Sequence, residues 1–280
     1  MEVAKTIEEL KQAVQKLRSE GHRIGLVPTM GFLHEGHLRL VDRCKEVSDK
    51  TILTIFVNPT QFGPNEDLDA YPRDEERDLK LCEERGVDLV FCPNVEDMYG
   101  ASHSTFVIEE RASKGLCGIS RPIHFRGVLT ICCKLFMLSR CDVAVFGQKD
   151  AQQVILIEKM VRELNLPVEI VRGEIIRESD GLAMSSRNRY LTESERKIAP
   201  CLQEALQIGK ALIEGGQTET AKIRSEMAHH IEKHPEIRID YLELVDVQEL
   251  TPLSVVRPGE VLIAGAIYIG KTRLIDNVNV

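Results

Sequence analysis

The sequence predicts an α/β fold, a parallel sheet with helices on both faces, followed by a smaller α+β domain. Two observations carry this. Short apolar runs alternate with helical patterns through the first 175 or so residues, the cadence of β-α-β units. Beyond about residue 177 two helical stretches come together and are followed by strands. The division falls at 1–176 and 177–280.

The N-terminus, Met1 to Gln15, reads as an amphipathic helix rather than a signal peptide. Ile24–Val27 is a buried strand, and Leu38–Val47 the helix that follows. Thr51–Val57 is a β-branched run stopped by Asn58-Pro59, Asp74–Arg85 a polar helix and Val87–Phe91 a strand. Leu129–Leu138 is a buried helix, Asp142–Phe146 a strand, Ala151–Asn165 a helix closed by Pro167, and Val168–Val171 a strand. In the second domain, helices are expected over Glu193–Glu214 and Thr218–Lys233, with strands at Ile239–Val245 and Val261–Ile269.

At 280 residues, 43% hydrophobic and 29% charged, the composition is globular. No apolar run approaches the roughly 20 residues that cross a bilayer. A net charge of −8 without a Lys/Arg block argues against nucleic acid. Eight cysteines (Cys44, Cys82, Cys92, Cys117, Cys132, Cys133, Cys141, Cys201) lack CxxC or zinc-like spacing, which fits a reduced, cytoplasmic protein.

The chemistry concentrates in loops that follow strands, where open α/β sheets bind ligands. Val27–His37 places His34 and His37 at a strand-to-helix turn, where unpaired N–H groups and the helix dipole favour phosphate. A histidine pair at that spacing is also open to a packing role or to half a metal site. Phe146–Gln153 supplies Gly147 for close backbone approach, Lys149 as a point charge, Asp150 as a helix cap or metal contact, and Gln153 as a donor and acceptor for a hydroxy acid. Arg177–Asn188 reads as a mobile phosphate-gripping loop or an interdomain turn. Asn58–Asn65 is a rigid, amide-rich turn in which Gln61 can orient a small polar substrate. Arg121–Val128 is a further polar loop before a buried helix. Gly265–Thr272 meets P-loop spacing, but Ala266–Ile269 reads as strand and too few residues follow for a helix.

Six segments in order, VPTMGFLHEGH, FVNPTQFGPNEDLDAYPRD, RPIHFRGV, FGQKDAQQ, IIRESDGLAMSSRNRYL and GKTRLIDN, run from residue 27 to 277. Together they resemble the pantoate–β-alanine ligase family. The resemblance implies a Rossmann-like nucleotide-binding domain of the class I synthetase and nucleotidyltransferase type, a smaller C-terminal lid, a homodimer and Mg²⁺. It implies that ATP and pantoate form pantoyl adenylate, which the β-alanine amine converts to pantothenate and AMP. ATP-binding positions then fall on Met30, Gly31, Phe32, Leu33, His34, Glu35, Gly36 and His37, on Gly147, Gln148, Lys149 and Asp150, on Ile176, and on Met184, Ser185, Ser186 and Arg187. His37 is the implied proton donor, assisted by His34. Lys149 neutralises phosphate charge. Gln61 and Gln153 hold pantoate, with Gln61 also facing β-alanine. The metal ligands stay unassigned. Arg39 and the Met137–Cys141 stretch depart from the family pattern without touching these positions.

Alternatives from other classes stand beside this reading. A nucleotidyltransferase would keep the nucleotide in its product rather than release AMP. An ATP-sensing module would bind without turnover. A tRNA synthetase fits poorly with an acidic chain of this length.

Overall fold

A computed structural model describes residues 1–64, 66–257 and 259–280. Asn65, at the end of the amide-rich segment, lies outside them. In chain order the first elements are β1 (Glu2–Ala4), α1 (Ile7–Ser19), β2 (Ile24–Thr29), α2 (Glu35–Val47), β3 (Lys50–Ile55), α3 (Glu75–Glu84), β4 (Leu89–Phe91) and α4 (Val95–Met98). Then come α5 (Cys117–Ser120), α6 (His124–Ser139), β5 (Val143–Gly147), α7 (Ala151–Glu163) and β6 (Glu169–Gly173). The C-terminal part holds α8 (Glu193–Ile198), α9 (Cys201–Glu214), α10 (Thr220–Ile231), β7 (Ile237–Asp246), β8 (Val261–Ile269) and β9 (Thr272–Asn279).

The chain forms two compact units. One comprises Met1–Glu109, Arg121–Gln148 and Leu156–Glu174; the other comprises Glu110–Ser120, Lys149–Ile155 and Ile175–Val280.

The first unit is built on a six-stranded sheet in the order β1-β4-β3-β2-β5-β6, with every pairing parallel. The central strands are continuous apolar runs because both their faces are covered: Ile24, Leu26, Val27, Ile52 and Leu53 are fully buried. After β2 the chain winds outward through β3 and β4, and β5 returns on the opposite side of β2. The direction of winding therefore reverses between β2 and β5, and the carboxyl ends of these two strands flank the switch point where such sheets bind ligands. Leu40, on α2, fixes how closely that helix approaches β6. A Cβ at Gly173 would lie 2.3 Å from its methyl.

The second unit carries a three-stranded antiparallel sheet, β7-β8-β9. Leu202, Leu206, Ile223, Met227, Ile263 and Ile267 pack its core against α9 and α10.

Four sequence expectations change. Glu2–Ala4 is a strand, paired in parallel with β4, and the N-terminal helix begins only at Ile7 behind a Thr6–Glu9 capping box. Pairing with a single neighbour, β4, at the sheet edge outweighs a weak helical periodicity that short. The helix expected over Glu193–Glu214 is broken in two. Pro200 sits at the break, where it cannot donate to the preceding turn. The last residues form β9 as the hairpin partner of β8, turning at Gly270-Lys271, which confirms that the P-loop spacing there is a coincidence of strand sequence. Arg121–Val128 is not wholly a loop, since α6 starts at His124.

Candidate active site

In the first unit, the turn from β2 into α2 is held by its own side chains. Gly31 has φ +80° and Phe32 φ +48°, the left-handed geometry needed to reverse the chain here. Thr29 Oγ1 accepts from Gly31 N (3.1 Å) and donates to the Thr54 carbonyl (2.6 Å). Asp78, 1% exposed, reaches across from α3 and accepts from Phe32 N (2.6 Å) and Leu33 N (2.7 Å). Burial pushes the Asp78 carboxyl above its usual range, opposed by those two N–H donors.

His34 is the N-cap of α2. Its Nδ1 accepts from Gly36 N (3.1 Å), while His37 Nδ1 accepts from His34 N (3.3 Å). The two rings lie 4.1 Å apart at 36°. This is a reciprocal capping box made of imidazoles. It assigns the tautomer, because a Nδ1 that accepts leaves the ring proton on Nε2. The unpaired N–H groups expected at this turn are largely spoken for: those of Gly31, Phe32, Leu33 and Gly36 bond to Thr29, Asp78 and His34. The turn is therefore not a bare backbone nest, and each of its two imidazoles carries its proton on Nε2.

Gln61 ends a 3₁₀ turn, Pro59–Gln61, directly after β3 and is 7% exposed. Asn58 Nδ2 donates to Gln61 Oε1 (3.0 Å), so the Gln61 amide presents its NH₂, which lies 3.0 Å from Met30 Sδ. A thioether is a weak acceptor. Gly147 closes β5, and a Cβ there would meet only Leu40 methyls, at 3.8 Å. Among the described residues no atom comes close enough to demand glycine at that position.

In the second unit, Lys149 and Asp150 precede α7. Lys149 Nζ is 3.8 Å from Asp150 Oδ1, and the Lys149 carbonyl accepts from Asn277 Nδ2 (2.9 Å) on β9. Gln152, one residue before Gln153, is buried. Its amide donates to the Ala112 and Gly115 carbonyls (2.9 and 2.8 Å) and accepts from Cys117 N (3.0 Å). Gln153 follows in the first turn of α7, half-buried.

Residues 176–184 form a small hairpin, closed by Met184 N to Ile176 O (2.9 Å) and Glu178 N to Leu182 O (2.8 Å), with Gly181 at φ +94°. Arg177 makes a bidentate pair with the buried Asp276 (2.6 and 3.0 Å) and also donates to the Gly181 carbonyl. Arg196 binds both Glu178 and Asp180, and Asn188 donates to Glu178 Oε1 (2.8 Å). The Arg196 hydrogen bond holds the Asp180 carboxyl below the usual range. Met184 leads into Ser185, which caps the 3₁₀ helix Ser186–Tyr190 by accepting from Arg187 N. The segment read from sequence as a loose loop is a braced hairpin and cap.

The site positions thus divide between the units. Met30–His37, Gln61, Gly147 and Gln148 lie in the first; Lys149, Asp150, Gln153, Ile176 and Met184–Arg187 lie in the second. Among the described residues no group of three or more His, Cys, Asp or Glu side chains is arranged to hold a metal, and none of the cysteines is paired. No helix of the described residues is long and apolar enough to cross a membrane. Sequence reasoning assigned no role to Asp78, Asn58, Gln152 and Asn277, which shape these segments. Asn58, Gln152 and Asn277 left a signal, inside FVNPTQFGPNEDLDAYPRD, FGQKDAQQ and GKTRLIDN, and Asp78 left none.

Comparison with known proteins places the chain in a family. The family model described as pantoate-beta-alanine ligase matches residues 2–279. Pantothenate synthetase of Thermotoga neapolitana is 50% identical over 277 residues, covering 99% of each chain. That of Caldicellulosiruptor bescii is 52% identical over 278 residues, 99% of this chain and 98% of its own. Among solved structures, pantothenate synthetase from Thermus thermophilus superposes with a TM-score of 0.94 at 41% identity, over 100% of this chain and 99% of that one. Pantoate-beta-alanine ligase from Francisella tularensis, complexed with beta-gamma ATP and beta-alanine, gives 0.81 at 31% identity, over 100% and 97%. The chain belongs to the pantoate–β-alanine ligase family.

Proposed function

We propose that this chain condenses pantoate with β-alanine at the expense of ATP, through a pantoyl-adenylate intermediate, releasing pyrophosphate and AMP. The observation that carries the reading is the imidazole capping box. It fixes two Nε2–H donors beside the sheet's switch point, where charge on a polyphosphate is best met. His37 donates as pyrophosphate leaves, His34 assists, and Lys149 and Arg187 neutralise the charge that builds on the phosphates. Glycine at 147 leaves its surroundings open to a nucleotide, and Gln148, Asp150, Ile176, Met184, Ser185 and Ser186 complete the nucleotide contacts. Gln61 offers NH₂ donors to substrate oxygens, and a carboxylate or hydroxyl oxygen is a better acceptor than the Met30 thioether now beside it. Gln153 holds the other end of pantoate. Positioning the carboxylate in line with the α-phosphate makes the attack effectively intramolecular, so no covalent enzyme nucleophile is required.

In this reading residues 1–176 supply the substrate-binding positions and most nucleotide-binding positions, and residues 177–280 supply Met184–Arg187. Mg²⁺ would come with the nucleotide and would supply positive charge to its phosphates; no carboxylate cluster lies among the described residues, and Asp150, beside Lys149, is the carboxylate that would contact it. The homodimer and a cytoplasmic setting belong to the reading on family resemblance, and sedimentation tests the former.

Pantoate-dependent exchange of labelled pyrophosphate into ATP, with β-alanine left out, tests the adenylate directly. Exchange that requires pantoate, followed by AMP and pantothenate on adding β-alanine, supports the proposal; a nucleotide-conjugated product would favour a nucleotidyltransferase. Lys149→Ala is expected to cut the exchange rate at least about tenfold in a folded protein, because a point charge on the phosphates is lost.

A further inference from the structure

The Arg121–Val128 segment has no part in the chemistry proposed above, yet it grips a residue that does. Arg121, His124 and Gly127 recur every third residue across the start of α6. All three contact the Asn58–Gln61 turn. His124 Nδ1 lies 3.0 Å from the Gln61 carbonyl oxygen. A carbonyl only accepts, so Nδ1 carries the proton. Arg121 Nη1 lies 3.1 Å from His124 Nε2. A guanidinium only donates, so Nε2 must accept. One neutral tautomer satisfies both bonds, the reverse of the tautomer held by His34 and His37.

Arg121 is anchored in turn. Its Nε is 3.1 Å from both carboxylate oxygens of Glu66, and its Nη2 also donates to the Gln61 carbonyl (3.4 Å). Gly127 completes the grip by absence of a side chain. A Cβ there would lie 2.4 Å from Thr60 O and 2.5 Å from Gln61 N, backbone atoms that cannot yield. The Gly127 carbonyl accepts from Asn58 Nδ2 (3.1 Å), the same amide that donates to Gln61 Oε1.

We infer that Arg121, His124 and Gly127 are positioning residues that clamp the Gln61 turn, fixing its carbonyl through His124 and its side-chain amide through Asn58, so that the Gln61 NH₂ meets a substrate oxygen without reorganisation. The inference rests on the proposed role of Gln61 and deepens it. Preorganisation of this kind shows as affinity for the ligand that Gln61 binds, while nucleotide affinity is untouched.

The test compares His124→Gln with His124→Asn in the pyrophosphate exchange assay. An asparagine NH₂ occupies the place of Nδ1 and keeps the donor to the Gln61 carbonyl; a glutamine places its polar group at the position of Nε2 and loses that donor. His124→Gln is expected to raise the KM for pantoate roughly tenfold, about the worth of one buried hydrogen bond. The KM for ATP and kcat should stay within about twofold, and His124→Asn should restore the pantoate KM to within about twofold of the parent. Glu66→Gln, on the partly exposed side of the clamp, should raise the same KM by a smaller factor, and it carries the test if His124→Gln does not fold. Imidazole ¹⁵N shifts should show His124 protonated at Nδ1.

Equal losses in kcat and in both KM values, shared by the Gln and Asn variants, would overturn the clamp in favour of a general packing role. So would a His124 ring protonated at Nε2. Gln61→Ala run alongside separates the two layers. If it leaves the pantoate KM unchanged, the proposed role of Gln61 fails and the inference with it. If it raises that KM and His124→Gln does not, the clamp alone is wrong.

Discussion

The β2–α2 turn and the 176–184 hairpin carry proposed nucleotide contacts, but they are held by opposite physics. The turn is held by neutral rings and by one buried carboxylate that accepts from two backbone N–H groups, with the Arg77 guanidinium more distant at 3.6 Å. The hairpin is held by full ion pairs: Arg177 with Asp276, and Arg196 with Glu178 and Asp180. Hydrogen bonds of the first kind fix orientation and a tautomer and are nearly blind to salt. Ion pairs bring long, flexible side chains together across large sequence separations, and their worth depends on what remains when one partner goes. Rigid geometry at the histidines and charge pairing around Met184–Arg187 are two ways of holding positions proposed to meet phosphate.

The comparison breaks most visibly at Arg177. Arg177→Ala leaves the Asp276 carboxylate, 4% exposed, without its guanidinium, and the expected loss is about 3 kcal/mol of stability by denaturant titration. A loss below about 1 kcal/mol would mean that the Asn277 N–H bond to the same carboxylate suffices. In the turn, Asp78→Asn keeps one acceptor but sets an NH₂ against a backbone N–H. This should cost about 2 kcal/mol and weaken ATP binding, with Asp78→Ala no milder. If calorimetry finds ATP affinity unchanged in Asp78→Asn, the turn's geometry does not depend on that carboxylate.

Acid sharpens the contrast with a smaller effect. Asp180 sits below its ordinary range, so the unfolded chain takes its proton first. Its contribution to stability is present above an unfolded value of about 3.9 and is lost as pH falls through the folded value. Asp78 is raised by burial, so the folded protein takes its proton first, and its contribution grows as pH falls through the folded value. A carboxyl-carbon titration should therefore place Asp78 above about 3.9 and Asp180 below it. The same order reversed would mean that the two N–H donors outweigh burial at Asp78 and that the Arg196 pairs contribute little.

How much of this was legible follows the sequence separation of each contact. His34 and His37 cap one another within a single helical turn, and the apolar run before them with the helical pattern after them was enough to place them at a strand-to-helix turn. What spacing did not disclose is that they consume the turn's own N–H groups. Lys149 was visible as a cation after a strand, but Asn277, 128 residues away, holds its backbone. Asp78 sat unnoticed in a polar helix, because nothing in Glu75–Glu84 tells which carboxylate is turned 46 residues back to Phe32. The departure at Arg39, expected to touch none of the implied binding positions, does touch one: its ion pairs to Glu35 and Asp42 lie on the exposed surface of α2, because residues three and four apart share a helix face.

The sequence by itself determined the alternation of buried strands and amphipathic helices, the change to a smaller α+β domain in which helices precede strands, and the positions of the histidines, Lys149 and the glutamines. These depend on periodicity and local turn chemistry, which act over a few residues. Only the tertiary structure decided that Glu2–Ala4 is an edge strand, that the last residues complete a sheet, and that Arg121 and His124 close on Gln61 across 60 and 63 residues. Each of those outcomes requires two distant backbone or side-chain groups to exchange water for one another, and that exchange is written only in the folded chain.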